Sequence, residues 1–251
     1  MKKTLLLLLI SLFVLQSCVI NSEIVYHKDA ASTMLTDIDM KEFIKEMKAM
    51  TPDSLQNKKE FGDMDKLPTT WTSIYELEKK EGKTTKDPDS LRIMKKIFMK
   101  SSKENNDPVG FSLKLDHFTQ TDYKALNNFT KQETLPLEQN IYNLWDGKTL
   151  TIDTNNFNLK SLKEALSKQS PDGQSDEAGD DGKTEGMMMM FFKKIETTLK
   201  FEGKIKSITG KHDWLKQVDD HSVKIEYDIK SMFDKDATLK NADKKIIIVT
   251  E

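Results

Sequence analysis

Apolar and polar residues alternate along three stretches of the chain. Val109, Phe111, Leu113 and Leu115 alternate with Gly110, Ser112, Lys114 and Asp116. Ile195, Thr197, Leu199 and Phe201 alternate with Glu196, Thr198, Lys200 and Glu202, and Val223, Ile225, Tyr227 and Ile229 with Lys224, Glu226 and Asp228. A period of two places successive side chains on opposite faces, so each stretch predicts a strand buried on one side. Glu23–Lys28 and Thr33–Asp39 read as two arms of a hairpin around Asp29–Ser32. Ile141–Trp145 and Lys148–Ile152 read as a second hairpin, turning at Asp146-Gly147, the dipeptide that two-residue turns favour. Lys244–Val249 predicts a closing strand buried on both faces.

The first half carries the helical period. Asp39 is placed to cap a helix over 40–50, with Phe43, Met47 and Met50 on its apolar face. Trp71–Lys80 predicts a second helix, and Asp87-Pro88 supplies an N-cap and first turn for a third over 89–100. Residues 121–129 read as a short helix or a lid-like loop, and 159–166 as a short helix. Between Ser170 and Glu185 no large apolar residue occurs, so that run reads as a disordered acidic loop. The expected fold is α+β: an antiparallel sheet of about seven or eight strands with several helices, mostly inserted in the first half. One domain is expected over 18–251, with 170–185 as a loop within it.

The N-terminus changes the picture most. Lys2 and Lys3 precede an apolar run from Leu5 to Leu15, the layout of a signal peptide and too short to span a bilayer. It ends in Leu15-Gln16-Ser17-Cys18, and Cys18 is the single cysteine of the chain. That ending resembles the lipobox of bacterial lipoproteins, in which the peptide is cut before the cysteine and the cysteine is acylated. The resemblance implies a signal peptide over 1–17 and a membrane anchor on Cys18, as palmitate-type chains. With that thiol consumed, no disulfide is expected, and the fold must rest on its core. Val19 rather than an aspartate follows Cys18, so the expected location is the cell envelope, at the outer membrane facing the periplasm. The predicted strands begin a few residues later, which expects a domain lying close to the lipid. The chain has 39 Lys+Arg against 41 Asp+Glu, a balance that favours no nucleic-acid partner.

The C-terminal tract TTLKFEGKIKSITGKHDWLKQVDDHSVKIEYDIKSMF, paired with a hairpin directly after the lipidated cysteine, resembles LppM-like bacterial lipoproteins. The likeness covers the two ends of the chain and not residues 50–190. It implies an antiparallel α+β domain beside the membrane, a lipid-type ligand and no catalytic motif.

Little catalytic chemistry is legible. The histidines are His27, His117, His212 and His221, and three of them adjoin an aspartate. Neighbours on a strand point to opposite faces, and no H-x-x-x-H, HExxH or G-x-S-x-G is present. No catalytic residue, metal ligand or cofactor is therefore expected. Lys193-Lys194 and Lys244-Lys245 read as edge gatekeepers against sheet-to-sheet pairing. The tract EGMMMMFFKK at 185–194 puts Met188, Met190 and Phe192 on the even face of a strand whose odd face joins the core. These three are the candidate ligand-binding residues, since something apolar must cover them. The readings that remain are a non-enzymatic envelope lipoprotein binding an apolar ligand or a partner protein, a purely structural tether, and an envelope hydrolase.

Overall fold

A computed structural model describes residues 18–42, 44–45, 67–83, 85–105, 107–130, 144–157, 192–228 and 239–251. The first two strands, β1 (Cys18–Tyr26) and β2 (Ser32–Asp39), form the expected hairpin, in register from Val19–Asp39 to Tyr26–Ser32. A helical turn follows, in which the Ile44 amide donates to the Met40 carbonyl and Ile44 is buried. The rest of the helix expected over 40–50 lies outside the described residues.

A two-residue strand, β3 (Thr72–Ser73), precedes α1 (Ile74–Lys80). Ser73 begins α1 with a reciprocal capping box, its hydroxyl accepting from the Glu76 amide while the Glu76 carboxylate accepts from its own. The next helix, α2 (Pro88–Lys96), is capped by Asp87 with Pro88 in its first turn. It stops four residues short of the predicted end, because Ile97 takes an extended backbone and opens β4 (Ile97–Glu104). Leu91, Met94, Ile97 and Phe98 suit a helical face, but Ile97 and Phe98 gain backbone partners at Leu115 and Lys114 instead. Tertiary pairing overrides local period there.

β4 turns into β5 (Asp107–Phe118), and α3 (Gln120–Thr130) follows directly. Thr119 and Asp122 cap α3 reciprocally, side chain to amide in both directions. A tight turn forms after Trp145, but one residue later than expected. Trp145 bridges Leu150 and the Asp146 amide donates to the Thr149 carbonyl, so Gly147 and Lys148 lie at its centre, ahead of β6 (Thr149–Asp153). The remaining strands are β7 (Phe192–Phe201), β8 (Ile205–Thr209), β9 (Leu215–Gln217), β10 (Ser222–Tyr227) and β11 (Lys245–Thr250).

These strands form two sheets, not one. The larger runs β3-β4-β5-β2-β1-β7-β10-β9, and the smaller β6-β11-β8. The α+β class and the bias of helices to the first half are as expected, but one pairing departs from the antiparallel rule. β1 and β7 run parallel, from Cys18 opposite Phe192 to Tyr26 opposite Phe201. That joint pairs the first strand with one from the last third of the chain, inside the larger sheet.

One face of the larger sheet is polar. Lys200 meets Glu23 at 2.7 Å, and Glu196 takes both Lys194 at 2.6 Å and Lys224 at 3.2 Å. β7 lies inside the sheet, so Lys194 belongs to this ladder of charges and is no edge gatekeeper. The opposite face is apolar, and Ile24, Tyr26, Met34, Leu115, Leu199, Val223 and Ile225 are buried on it. Leu150, Ile152, Ile246 and Ile248 of the smaller sheet and Ile93, Tyr123 and Leu126 of the helices join the same contiguous core. In β11 the residues between them, Ile247 and Val249, are only half-buried, so this strand is covered on one face rather than two. The helix expected over 159–166 and the loop over 170–185 lie outside the described residues.

Candidate functional site

Cys18 is the first residue of β1, and its backbone pairs with Phe192. β1 is an inner strand, flanked by β2 and β7. Acyl chains on Cys18 would therefore leave from the end of the sheet itself, with no spacer between the lipid and the fold. Among the described residues no helix is long and apolar enough to cross a membrane.

The register defines what surrounds that end. Ile20 lies opposite Ile38 and Ile195, Ile38 opposite Phe111, and Ile195 opposite Tyr227. This row crosses four strand pairings on the apolar face, and Ile20, Ile38 and Phe111 in it are only half-buried. One step further along the strands the row carries hydroxyls. Ser22 lies opposite both Thr36 and Thr197, and its Oγ is 3.0 Å from Thr36 Oγ1. A surface depression of about 220 Å³ adjoins this end, lined among others by Ile38, Phe111, Asp37, Asp39, Lys41 and Glu104. Lys41 spans it to Glu104 at 2.7 Å, and the Glu104 carboxylate raises the lysine's pKa. The end beside Cys18 is therefore apolar on one face, with a mixed polar rim.

Of the candidate ligand-binding residues, Met188 and Met190 lie outside the described residues, and Phe192 is placed by its backbone alone. Between Phe192 and Lys194 the register slips by one residue: Cys18 faces Phe192 and Val19 faces Lys194. The simple odd–even count through 192 is therefore interrupted by a bulge, which alternation in the sequence does not reveal.

The histidines rearrange the expectation drawn from their neighbours. His117 leaves the adjacent Asp116 and reaches Asp29, with Nε2 to Oδ2 at 2.8 Å. His27 pairs with Glu202, Nδ1 to Oε1 at 2.8 Å, across a sequence separation that no local motif could signal. His212 is buried against Phe157 and Trp214, with ring centroids 5.1 Å away in each case, and burial lowers its pKa. Among the described residues no group of three or more His, Cys, Asp or Glu side chains is arranged to hold a metal ion.

No family model matches the chain, and no curated protein matches it. Among solved structures, the folded domain of the LppM protein of Mycobacterium tuberculosis, determined by NMR, aligns over 94% of this chain and 92% of its own. The identity is 12% and the TM-score 0.37, a distant structural likeness.

Proposed function

We propose that this protein is a lipid-anchored lipoprotein of the bacterial envelope that acts by binding rather than by catalysis. The observation that carries the reading is the position of Cys18. The residue that ends a lipobox-like sequence is also the first residue of an inner strand of the main sheet. Several acyl chains on one residue hold a protein stably where a single chain would bind only marginally. Anchored there, the half-buried row through Ile20, Ile38 and Phe111 opens close to the lipid, a position suited to an apolar ligand or to an apolar segment of a partner protein. The outer membrane, facing the periplasm, is the location this reading assigns.

Two measurements on the full chain in its bacterial host test it. Metabolic labelling with a palmitate analogue should mark the wild type and leave Cys18→Ser unmarked; equal labelling of both would sink the anchor. Native mass spectrometry after extraction in several detergents should show a co-purifying lipid or protein. A bare polypeptide in every detergent would turn the assignment toward a structural tether.

A further inference from the structure

At the far end of the larger sheet from Cys18, four elements meet in one polar cluster. His27 follows β1, Asp29 lies in the β1–β2 turn, His117 is near the end of β5, and Glu202 follows β7. The two imidazole rings are 5.1 Å apart between centroids. Each ring is backed by a carboxylate at 2.8 Å, Glu202 on His27 Nδ1 and Asp29 on His117 Nε2. The carboxylates are themselves held, Glu202 by the Lys28 amide at 2.9 Å and Asp29 by the Ala31 amide at 3.1 Å. A carboxylate can only accept, so the ring nitrogen facing each one at 2.8 Å carries the proton.

That assignment fixes both tautomers. In the neutral rings the lone pairs are on His27 Nε2 and His117 Nδ1. His27 Nε2 is 3.0 Å from Thr33 Oγ1, and the same oxygen accepts from the His117 amide at 3.2 Å. The Thr33 hydroxyl therefore donates to His27 Nε2 and holds that nitrogen toward the backbone of residue 117. The backbone is unusual there too. Two β5 residues, Asp116 and His117, stand opposite the single Thr33 in a bulge, and His117 has a φ of 50°. A left-handed backbone is uncommon in residues other than glycine, and bulges of this kind re-aim side chains.

We propose that His27 and His117 together bind one divalent transition-metal ion of the imidazole-preferring kind, through His27 Nε2 and His117 Nδ1. The Thr33 hydroxyl and water complete its coordination. Imidazole suits zinc and copper, and a ligating histidine characteristically donates its other N–H to a carboxylate, which both rings do here. The spacing agrees. With metal–nitrogen bonds of about 2.0–2.1 Å, two imidazoles sharing a tetrahedral ion have centroids about 5.2 Å apart. Two imidazoles and one neutral hydroxyl, with water in the remaining position, make an open, exchangeable site rather than a closed structural one. The proposal does not depend on the lipid anchor.

The test titrates Zn²⁺ and Cu²⁺ into the detergent-solubilised, tag-free full chain at neutral pH, read by calorimetry. One equivalent should bind, and His27→Gln or His117→Gln should each weaken it by more than tenfold. Glu202→Gln and Asp29→Asn should weaken it by about 10–100-fold, as outer partners do. His221→Gln, at the same end of the sheet but beside β10 and two strands from β1, should leave it unchanged. Because His117 sits in a bulge, a second reading uses the wild type alone. Substoichiometric Cu²⁺ should broaden the ring proton resonances of His27 and His117 before those of His212 and His221. No binding, binding indifferent to His27→Gln and His117→Gln, or equal broadening of all four histidines would overturn the proposal.

Discussion

Asp122 keeps its charge inside the fold because three neighbours contribute donors to it. Lys96 Nζ lies 2.7 Å from one carboxylate oxygen and Arg92 Nε 2.8 Å from the other, while the Thr119 amide and hydroxyl reach it at 3.0 and 2.9 Å. Burial pushes this carboxyl up, but those partners, Lys96 foremost, outweigh it and bring the pKa from 3.8 down to about 2. A depressed folded-state pKa means the folded form binds fewer protons than the unfolded one. The contribution to stability is therefore complete above a pH of about 4 and is lost as the pH falls toward 2, on the order of 2 kcal/mol in all. Asp122→Asn should cost about that much at pH 7 in urea denaturation, and much less near pH 2. An equal cost at both would show that the ion pairs are not its source. Gly110 is a second constraint at this scale, since a Cβ there would overlap the Ile38 carbonyl oxygen across the β2–β5 pair. Gly110→Ala should lower the urea midpoint, by about 1–3 kcal/mol of stability, as overpacking does.

At the scale of elements, β7 is the strand on which the two halves of the chain depend. Leu199 is fully buried and sits opposite Ile24 on one side and Val223 on the other. Its neighbour Lys200 points to the polar face and pairs with Glu23. Leu199→Ala should cost about 2–5 kcal/mol, and Lys200→Ala no more than about 0.5 kcal/mol, at an unchanged denaturant slope. A smaller effect at 199 than at 200 would contradict the assignment of faces. This alternation was legible in the sequence, as were the hairpin of β1 and β2, the cap of α2 and, to within one residue, the turn after Trp145, because each is set by neighbours two to four residues apart. The parallel joint of β1 to β7 was not, since hydrophobic alternation is the same for a parallel and an antiparallel partner. Nor was the end of α2, because Leu91, Met94 and Ile97 satisfy a helix until Leu115 offers Ile97 a strand partner. His27 and His117 escaped for a related reason: the bulge opposite Thr33 breaks the count that assigns His117 to a face.

For the whole molecule, the position of Cys18 fixes which end of the sheet would meet a bilayer, and the tryptophans mark both ends. Trp145 donates its indole N–H to the His27 carbonyl at 2.7 Å. Residue 27 is nine positions along the chain from Cys18, about 30 Å at strand spacing. Trp214 packs instead on Tyr227, with centroids 5.8 Å apart, and Tyr227 lies opposite Ile195, which lies opposite Ile20. Trp214 is therefore near the Cys18 end and Trp145 near the remote one, where the two imidazoles also meet. If the acyl chains emerge directly from β1, the lipidated protein in vesicles cannot swing away on a tether. Quenching by lipids brominated near the headgroup should then dim Trp214 in the Trp71→Phe, Trp145→Phe protein at least about twofold more than Trp145 in the Trp71→Phe, Trp214→Phe protein. A spacer of about twenty glycine and serine residues inserted between Cys18 and Val19 should abolish the difference, since such a chain behaves as a flexible coil. Trp214 left unquenched in the protein without the spacer would mean that the sheet stands off the membrane, and that the row through Ile20, Ile38 and Phe111 does not open toward lipid.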